Sequence, residues 1–377
     1  MPRDVDEVLA SVSELSSGMI AADAEAVDRR RSFPREGLTA LGEAGALGLV
    51  VGPDAGGVGG GLLALASACE SIGQACASTA MVFLMHSVTA ATIGAGGGPR
   101  AAELLQAMAE GGALGSLAFS ERGTGAHFYA PELRADRGDG RVTVSGRKSF
   151  VTSGGQADVY LTLLQGVEAG TADAYVVDKD QAGLRFDGEW TGLGMAGNSS
   201  VAMELDAVVL SDDALVGGAG HGLDLVFSAV APFFLVGLAA VNVGIASAAA
   251  AAATKHAAER TYPDGTALAE VQYVQHVLAD MDAAVRQARL LTREAARLGE
   301  AGDESALVAI MEAKVAATTA AVDVTQLALE ATGGQGYTVA LPIERHLRDA
   351  RAGGVMAPTN AVLRSWVGKA LAGLPVP

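Results

Sequence analysis

The chain contains few cysteines and few aromatic residues. Of its 377 residues only two are cysteines, Cys69 and Cys76, and Phe, Trp and Tyr together make up 5%. On a single helix, two cysteines seven residues apart lie about 10 Å from each other, too far for a disulfide. The sequence therefore excludes a disulfide framework and predicts a reduced, cytoplasmic setting.

Positive charge is also scarce. Lys and Arg number 26 against 43 Asp and Glu, so the formal net charge is −17. Nucleic acids and anionic membrane surfaces are bound by clustered basic residues, so neither is predicted as a partner. A basic N-terminal region followed by an apolar segment is missing, and acidic residues begin at Asp4, so no export signal is expected.

Motifs for metal sites and for nucleophilic catalysis are missing as well. The chain has no CxxC, no HExxH and no GxSxG, and its six histidines are scattered. The glycine tract at 52–61 lacks the Lys and the Ser or Thr of a P-loop. No metal site is predicted.

One uncharged run, at 225–254, is longer than a bilayer span requires. It contains Ser228, Pro232, Asn242 and Ser247, and it ends in alanines, which insert into membranes only weakly. We therefore predict that this run is a buried bundle helix.

Three kinds of residue pattern follow one another along the chain. Residues 1–114 have helical periodicity, residues 115–221 alternate between apolar and polar with Gly and Asp breaks, and residues 222–377 are helical again. The predicted fold class is α+β: an N-terminal helical domain, a central and mostly antiparallel β-sheet domain, and a C-terminal four-helix bundle. The sheet domain is expected to be a barrel or a sandwich.

The stretch at 330–364 combines a glycine turn, a short charged helix and a second glycine break. Gly333, Gly334 and Gly336 follow an alanine-rich helical run, so they are typical of a helix C-cap. Their bare backbone can also let a phosphate or a ring come close. On spacing alone the C-cap is the favoured interpretation.

Two strand ends carry groups suited to a planar ligand. Ser120 ends one strand and is followed by a glycine-bearing loop, which offers hydroxyl and amide donors. Phe150 and Thr152 are two residues apart and therefore lie on one strand face, where they can flank a planar group. An ordinary strand end explains each of them equally well when it is taken singly.

The order of these segments resembles the acyl-CoA dehydrogenase family over nearly the whole chain. Residues 120–126 resemble the family's Thr-Glu-Pro-x-Ala-Gly-Ser segment, and residues 148–154 its Lys-x-(Trp/Phe)-Ile-Thr-Asn-Gly. Residues 194–200 resemble the loop before its last strands. Residues 333–337 and 348–350 match its C-terminal signature.

The resemblance implies an FAD-dependent oxidoreductase that acts on the CH–CH bond of an acyl thioester. Ser120 would bond the flavin pyrimidine edge, Phe150 would cover the ring and Thr152 would approach N5. Arg260, Gln272 and the Gly333–Gly334 turn of a neighbouring subunit would hold the ADP part. The implied cofactor-binding residues are Phe119, Ser120, Gly125, Phe150, Thr152, Arg260, Gln272, Glu330, Gly333, Gly334 and Thr359.

The resemblance also implies partners. The protein would be a homo-oligomer, a dimer or a tetramer, because half of each cofactor site comes from another chain. Its substrate would be carried on CoA or on an acyl carrier protein. Its electron acceptor would be a flavoprotein or oxygen.

The chain departs from the family at the general base. The family's Glu lies just before the last helix, where this chain has Ala357, or on the first bundle helix, where it has Phe234 and Leu235. Alanine cannot accept a proton, so we expect either a substituted base or a modified outcome such as carbanion rearrangement. Glu330 also stands where the family has a glutamine beside the dinucleotide, and it would repel a pyrophosphate unless it turned away or were protonated.

His86 is a polar residue in the uncharged run at 80–86. Such a histidine is usually a core group with its hydrogen bonds satisfied. Flavin monooxygenases that resemble the family carry a histidine in the corresponding helix, so His86 is the candidate acid/base group. The alternatives to an acyl thioester dehydrogenase are therefore a monooxygenase that uses His86, or a non-catalytic subunit of a hetero-oligomeric dehydrogenase.

Overall fold

The computed structural model describes residues 4–138 and 141–376 and begins with a helical region. Asp4 caps the first helix, because its carboxylate accepts a hydrogen bond from the Glu7 amide at 2.8 Å. A π-helical turn, Ser16–Ile20, joins the first helix to the second. The helices of this region are α1 (Val5–Leu15), α2 (Ala21–Arg30), α3 (Arg35–Glu43), α4 (Leu62–Ala75), α5 (Ala77–Gly96) and α6 (Ala101–Ala109).

Cys76 forms the joint between α4 and α5, so the two cysteines do not share one helix as the spacing argument assumed. Both thiols are free and buried. Burial raises the pKa of each thiol above its ordinary value.

The middle of the chain forms two four-stranded sheets, in the orders β1-β4-β5-β8 and β2-β3-β7-β6. Only the β1–β4 pair is parallel among the described strands, which agrees with the predicted antiparallel character. Val144 of one sheet and Tyr160 of the other belong to a single buried cluster, so the arrangement is a sandwich. The strands are β1 (Gly115–Ala118), β2 (Ala135–Gly138), β3 (Arg141–Val151), β4 (Val159–Gln165), β5 (Ala172–Asp178), β6 (Leu184–Asp187), β7 (Val201–Ser211) and β8 (Leu215–Val216).

The last third of the chain is helical and builds a bundle around one long apolar helix, α8. A π-helical turn, Val226–Val230, leads into this helix. It packs against α4, α9, α10 and α11. The helices of this region are α7 (Gly222–Leu225), α8 (Ala231–Glu259), α9 (Gln272–Glu300), α10 (Ala306–Thr332), α11 (Ile343–Val355) and α12 (Asn360–Leu371).

Small residues allow α4 and α8 to approach closely. A Cβ atom at Gly73 would lie 2.7 Å from the Val241 carbonyl oxygen, and one at Gly244 would lie 2.6 Å from the Gln74 amide. Neither position tolerates a side chain without moving a helix, because the interior is already closely packed. The glycines at these two positions therefore allow the backbones of α4 and α8 to come into contact.

Two described helices are long and apolar enough to span a bilayer, Ala77–Gly96 and Gly222–Glu259. Of the most apolar window of each, 78% and 67% respectively is buried inside the protein. Core helices of bundles meet the same length and composition criteria. The uncharged run therefore lies at the centre of the bundle, as its composition predicts.

A buried ion pair joins the two sheets to the loop that follows β1. The fully buried Lys148 amine donates to Glu121 Oε1 at 2.5 Å and to the Leu163 carbonyl at 2.6 Å. Glu121 Oε2 accepts from the amides of Glu132 and Leu133 at 2.9 and 3.0 Å. Desolvation lowers the pKa of Lys148 to about 8, and Glu121 opposes that shift.

We predict that Lys148→Met lowers the free energy of unfolding by about 3 to 5 kcal/mol, because it leaves the Glu121 carboxylate buried without its cation. The matched control is Arg147→Met. The neighbouring Arg147 pairs with Glu204 at 2.7 Å with 56% of its side chain exposed, so the loss should stay under about 1 kcal/mol. Urea unfolding of the two variants measures the difference, and equal losses would contradict the assignment.

Candidate active site

Phe150 presents an open aromatic ring at the end of β3. The residue is 72% exposed, and its φ of 53° places it in the left-handed region. This conformation occurs where the pairing of β3 with β7 changes register between Lys148 and Val151. The ring meets Trp190 edge-on, with centroids 6.4 Å apart. A large ring turned outward by an unfavourable backbone conformation offers a surface to a second planar group.

The loop that carries Trp190 is held by the N-terminal helices. Arg31 donates to the Trp190 carbonyl at 3.0 Å and to the Gly192 carbonyl at 2.7 Å. The Ser78 hydroxyl accepts from the Gly197 amide at 3.1 Å. We call residues 190–198 the clamped loop.

The C-terminal bundle holds the same loop from another side. Asp349 of α11 accepts a hydrogen bond from the Met195 amide at 2.6 Å. Its neighbour Arg348 forms a two-pronged pair with Asp28 of α2, at 2.8 and 2.6 Å. Residues of all three regions of the chain therefore meet at the clamped loop.

Burial affects Asp349 strongly. The residue is 4% exposed, and desolvation raises the pKa of its carboxyl group to about 6. The hydrogen bond from Met195 and the nearby Arg345 and Arg348 oppose the rise. The Asp349 carboxylate thus holds the clamped loop through Met195, and it loses its hydration to do so.

Thr152, Ser120 and Gly125, which the sequence predicts at the flavin, differ in their surroundings. Thr152 is buried, and its hydroxyl shares a 3.0 Å hydrogen bond with that of Ser200. The Ser120 carbonyl accepts from the Ser149 amide at 2.8 Å, which ties the loop after β1 to β3. Gly125 has a φ of 54° and open space where a Cβ would stand. The flavin contacts assigned to these residues by resemblance stay predictions.

Phe119 has a different position from the other predicted cofactor residues. Its side chain is buried, and its ring stacks on Phe128 with centroids 6.5 Å apart. The ring therefore belongs to the core. The cofactor contact assigned to Phe119 by resemblance stays a prediction.

A second opening lies at the far end of the bundle. A cleft of about 540 Å³, which we call the far cleft, is lined by His256, Glu259, Arg260, Gly334 and Gln335. The cleft brings together two predicted residues, Arg260 and Gly334, that are far apart in the sequence.

Three features of this cleft suit a phosphate. Arg260 is exposed at the end of α8. No atom lies within 4 Å of a Cβ built on Gly333 or Gly334, so their backbone is accessible. The His256 Nε2 atom is buried and has no hydrogen-bond partner among the residues that the structure describes. A cation, open amides and an unpartnered ring nitrogen fit the phosphate end of a dinucleotide.

Gln272 and Glu330 lie on the neighbouring helices. Gln272 is exposed at the start of α9. The exposed Glu330 accepts from Tyr273 at 3.4 Å and from Gln326 at 3.1 Å. Neutral donors thus hold the Glu330 carboxylate on the surface of α9 and α10.

His86 is a core residue in the structure. Its ring is fully buried, and its Nδ1 accepts a hydrogen bond from the Gly115 amide at 3.1 Å. The Nε2 atom therefore carries the proton and donates to the Leu47 carbonyl at 2.9 Å. Burial lowers the pKa of His86 to about 4. Because both nitrogens are engaged, these contacts favour the interpretation of His86 as a core group over the acid/base role.

The positions where the resemblance places the family's base hold no proton acceptor. Phe234 and Leu235 are buried apolar residues of α8. Ala357 lies half-buried between α11 and α12. Thr359, two residues later, caps α12 by accepting from the Val362 amide at 3.4 Å.

Lys314 is a residue that sequence reasoning missed. Its fully buried amine lies under the loop that contains Ala357 and donates to Asn360 Oδ1 at 2.9 Å and to the Pro358 carbonyl at 3.1 Å. Helical periodicity could have identified Lys314 from the sequence, because position 314 falls on the face of α10 that buries Ile310, Ala317 and Ala321. A lysine on an apolar helix face implies a buried partner.

Comparison with known proteins bears on all of these regions. Models of the acyl-CoA dehydrogenase N-terminal, middle and C-terminal domains match residues 2–112, 116–208 and 221–372. Cyclohex-1-ene-1-carbonyl-CoA dehydrogenase of Geobacter metallireducens is 31% identical over 365 residues, which is 96% of each chain.

Solved structures agree with these matches. Butyryl-CoA dehydrogenase from Megasphaera elsdenii is similar with a TM-score of 0.92 and 25% identity over 98% of each chain. A structure described as the electron transferring flavoprotein of Acidaminococcus fermentans is similar with a TM-score of 0.92 and 26% identity over 98% of each chain. The matches confirm the predicted family resemblance and fold class.

Removing the cation of the far cleft should weaken flavin retention. We predict that Arg260→Ala raises the dissociation constant of FAD by about tenfold or more, because a charge-assisted contact to a phosphate is lost. Arg286→Ala is the matched control, since Arg286 pairs only locally with Asp282 at 2.7 Å on α9. Equilibrium dialysis with FAD measures both, and equal retention would exclude Arg260 from the site.

The Asp349 carboxyl group should impose a pH dependence on stability. A carboxyl with a pKa raised from 3.8 to about 6 on folding destabilises the protein as pH rises through that interval. Asp349→Asn keeps an oxygen that can accept from Met195 but has no titrating group at this position. Between pH 4 and pH 7 the free energy of unfolding should therefore fall by about 2 kcal/mol less in Asp349→Asn than in wild type. Unfolding curves at both pH values measure it, with Asp323→Asn on the surface of α10 as control. Parallel curves for wild type and Asp349→Asn would contradict the assignment.

Proposed function

The chain belongs to the acyl-CoA dehydrogenase family, and we propose that it oxidises an acyl thioester with FAD without a carboxylate at position 357. The observation that carries the proposal is the full-length similarity to a CoA-thioester dehydrogenase, combined with Ala357. FAD is the cofactor, and it supplies the acceptor for the two electrons removed from the CH–CH bond.

The residues of this chain bind and orient the flavin. Phe150 and Trp190 offer an apolar wall to its ring, and the clamped loop keeps that wall rigid. Arg260 and the backbone at Gly333 and Gly334 hold phosphate in the far cleft. These roles are supported by the exposure of Phe150 and by the composition of that cleft.

Removal of the α-proton is the step in which this chain differs. A thioester carbonyl polarises the adjacent C–H bond, and a general base then accepts the proton. Positions 234, 235 and 357 provide none, and His86 is engaged through both nitrogens. We therefore expect that a substituted base accepts the α-proton slowly, after which the α-carbanion is either oxidised or, as a modified outcome, rearranges.

The family resemblance also supports a proposal for the assembly and the partners. We propose a cytoplasmic homo-oligomer, a dimer or a tetramer, in which Arg260 and Gly334 of one chain complete the flavin site of another. A flavoprotein is the favoured electron acceptor, since one of the similar structures is described as an electron transferring flavoprotein, and oxygen is the alternative. The substrate carrier is CoA, as in the relatives' names, and an acyl carrier protein is the alternative.

A non-catalytic role is the second candidate. It is favoured by the missing carboxylate at both family positions. In that case the chain would bind a homologous chain that retains the Glu. Turnover by a purified homo-oligomer would exclude it.

Anaerobic mixing with a panel of saturated acyl-CoA thioesters tests the function. We predict slow bleaching of the flavin absorbance by wild type and faster bleaching by Ala357→Glu, by about a hundredfold or more, because a general base contributes that much. Ala357→Gln is the matched control, with nearly the same shape and no proton acceptor, and it should behave as wild type. Flavin that stays oxidised in both wild type and Ala357→Glu with every thioester would refute the proposal.

A further inference from the structure

The loop that contains Ala357 is held from beneath by one side chain. The amine of Lys314 on α10 donates to three oxygens: the Met356 carbonyl at 3.4 Å, the Pro358 carbonyl at 3.1 Å and Asn360 Oδ1 at 2.9 Å. Two of these oxygens belong to the residues on either side of Ala357. The Lys314 side chain is fully buried.

The number of donors matches the number of acceptors. An ammonium group has three N–H bonds, and the loop supplies three oxygens. Burial lowers the pKa of Lys314 to about 7, and Arg364 on α12 adds to the shift. A neutral amine has only two N–H bonds and would leave one of the oxygens without its donor.

The surroundings of Lys314 hold the loop in the same position. Asn360 Nδ2 donates to the Thr318 hydroxyl at 2.9 Å, and that hydroxyl donates to the Lys314 carbonyl at 2.8 Å. Near the end of α11, a Cβ at Gly353 would lie 2.6 Å from Asn242 Nδ2 and 2.7 Å from Thr318 Cγ2. The helix that leads into the loop is therefore pressed against α8 and α10, and no contact in this set uses the side chain at position 357.

We infer that Lys314 is a positioning residue that holds residues 356–360 so that the side chain at 357 is presented to the substrate. This inference rests on the proposed function. Lys314 makes these contacts to two backbone carbonyls and Asn360, so it holds the loop with alanine at position 357. In its ammonium form Lys314 has no lone pair and donates all three N–H bonds within the loop, so in that form it holds the loop and does not act as the missing base.

The test uses the flavin-loaded Ala357→Glu protein as background. Adding Lys314→Met should lower kcat for anaerobic flavin bleaching by an acyl-CoA thioester about tenfold to a hundredfold, because a small misplacement of the reacting group is costly. KM and FAD content should change little, whereas the unfolding midpoint should fall, because the Met356 and Pro358 carbonyls lose their buried donor. Adding Lys179→Met, at an exposed lysine after β5, should leave kcat unchanged.

The outcomes separate this inference from the proposed function. If the Ala357→Glu, Lys314→Met protein keeps the full rate, Lys314 does not position the loop, and the function stands. If wild type bleaches but Ala357→Glu brings no gain, position 357 is not presented to the substrate, and the inference again fails alone. If neither protein bleaches while FAD is bound, the proposed function fails.

A second variant covers a failure of Lys314→Met to fold. Asn360→Ala removes the oxygen nearest to the amine and leaves Lys314 in place. In the Ala357→Glu background it should lower kcat at least severalfold with KM unchanged. An undiminished rate in this variant would overturn the inference.

Discussion

The structure depends on the clamped loop at residues 190–198, where the three regions of the chain meet. Arg31 and Ser78 hold this loop from the N-terminal helices, and Asp349 holds it from the bundle. A loop with several glycines has much conformational entropy to lose, so it needs such contacts to adopt a single shape. Because Trp190 lies on this loop, the same contacts position the wall beside Phe150.

Buried polar groups serve as connections between elements throughout the molecule. Lys148 with Glu121 ties the sheets to the loop after β1, and His86 ties α5 to the start of β1. Each such group loses solvation on burial, which shifts its pKa or requires a partner. The compensating hydrogen bonds require particular geometries, so these groups fix how elements meet more than they add to stability.

The loop at 356–360 is held by contacts that do not use the side chain of residue 357. The loop at 356–360 rests on Lys314, and Asn360 rests on Thr318, whereas position 357 has no group that can accept a proton. Lys314 holds the loop through backbone carbonyls and Asn360, so none of these hydrogen bonds depends on the side chain at position 357.

The sequence by itself determined the order of helical, sheet and helical regions, because hydrophobic periodicity reports on local structure. It also determined that positions 234, 235 and 357 hold no carboxylate. Through family resemblance it indicated Phe150 and the glycine turn at 333–334. These features depend on residue identity and on spacing along the chain.

Only the tertiary structure decided the roles of Lys314, Asp349 and His86. A lysine on an apolar helix face, or a histidine in an apolar run, has the same sequence pattern whether it is a core group or a reactive one. The difference lies in partners that are distant in sequence, such as the loop at 356–360 for Lys314 and the Leu47 carbonyl for His86. Packing of whole elements creates those contacts, and no local pattern encodes them.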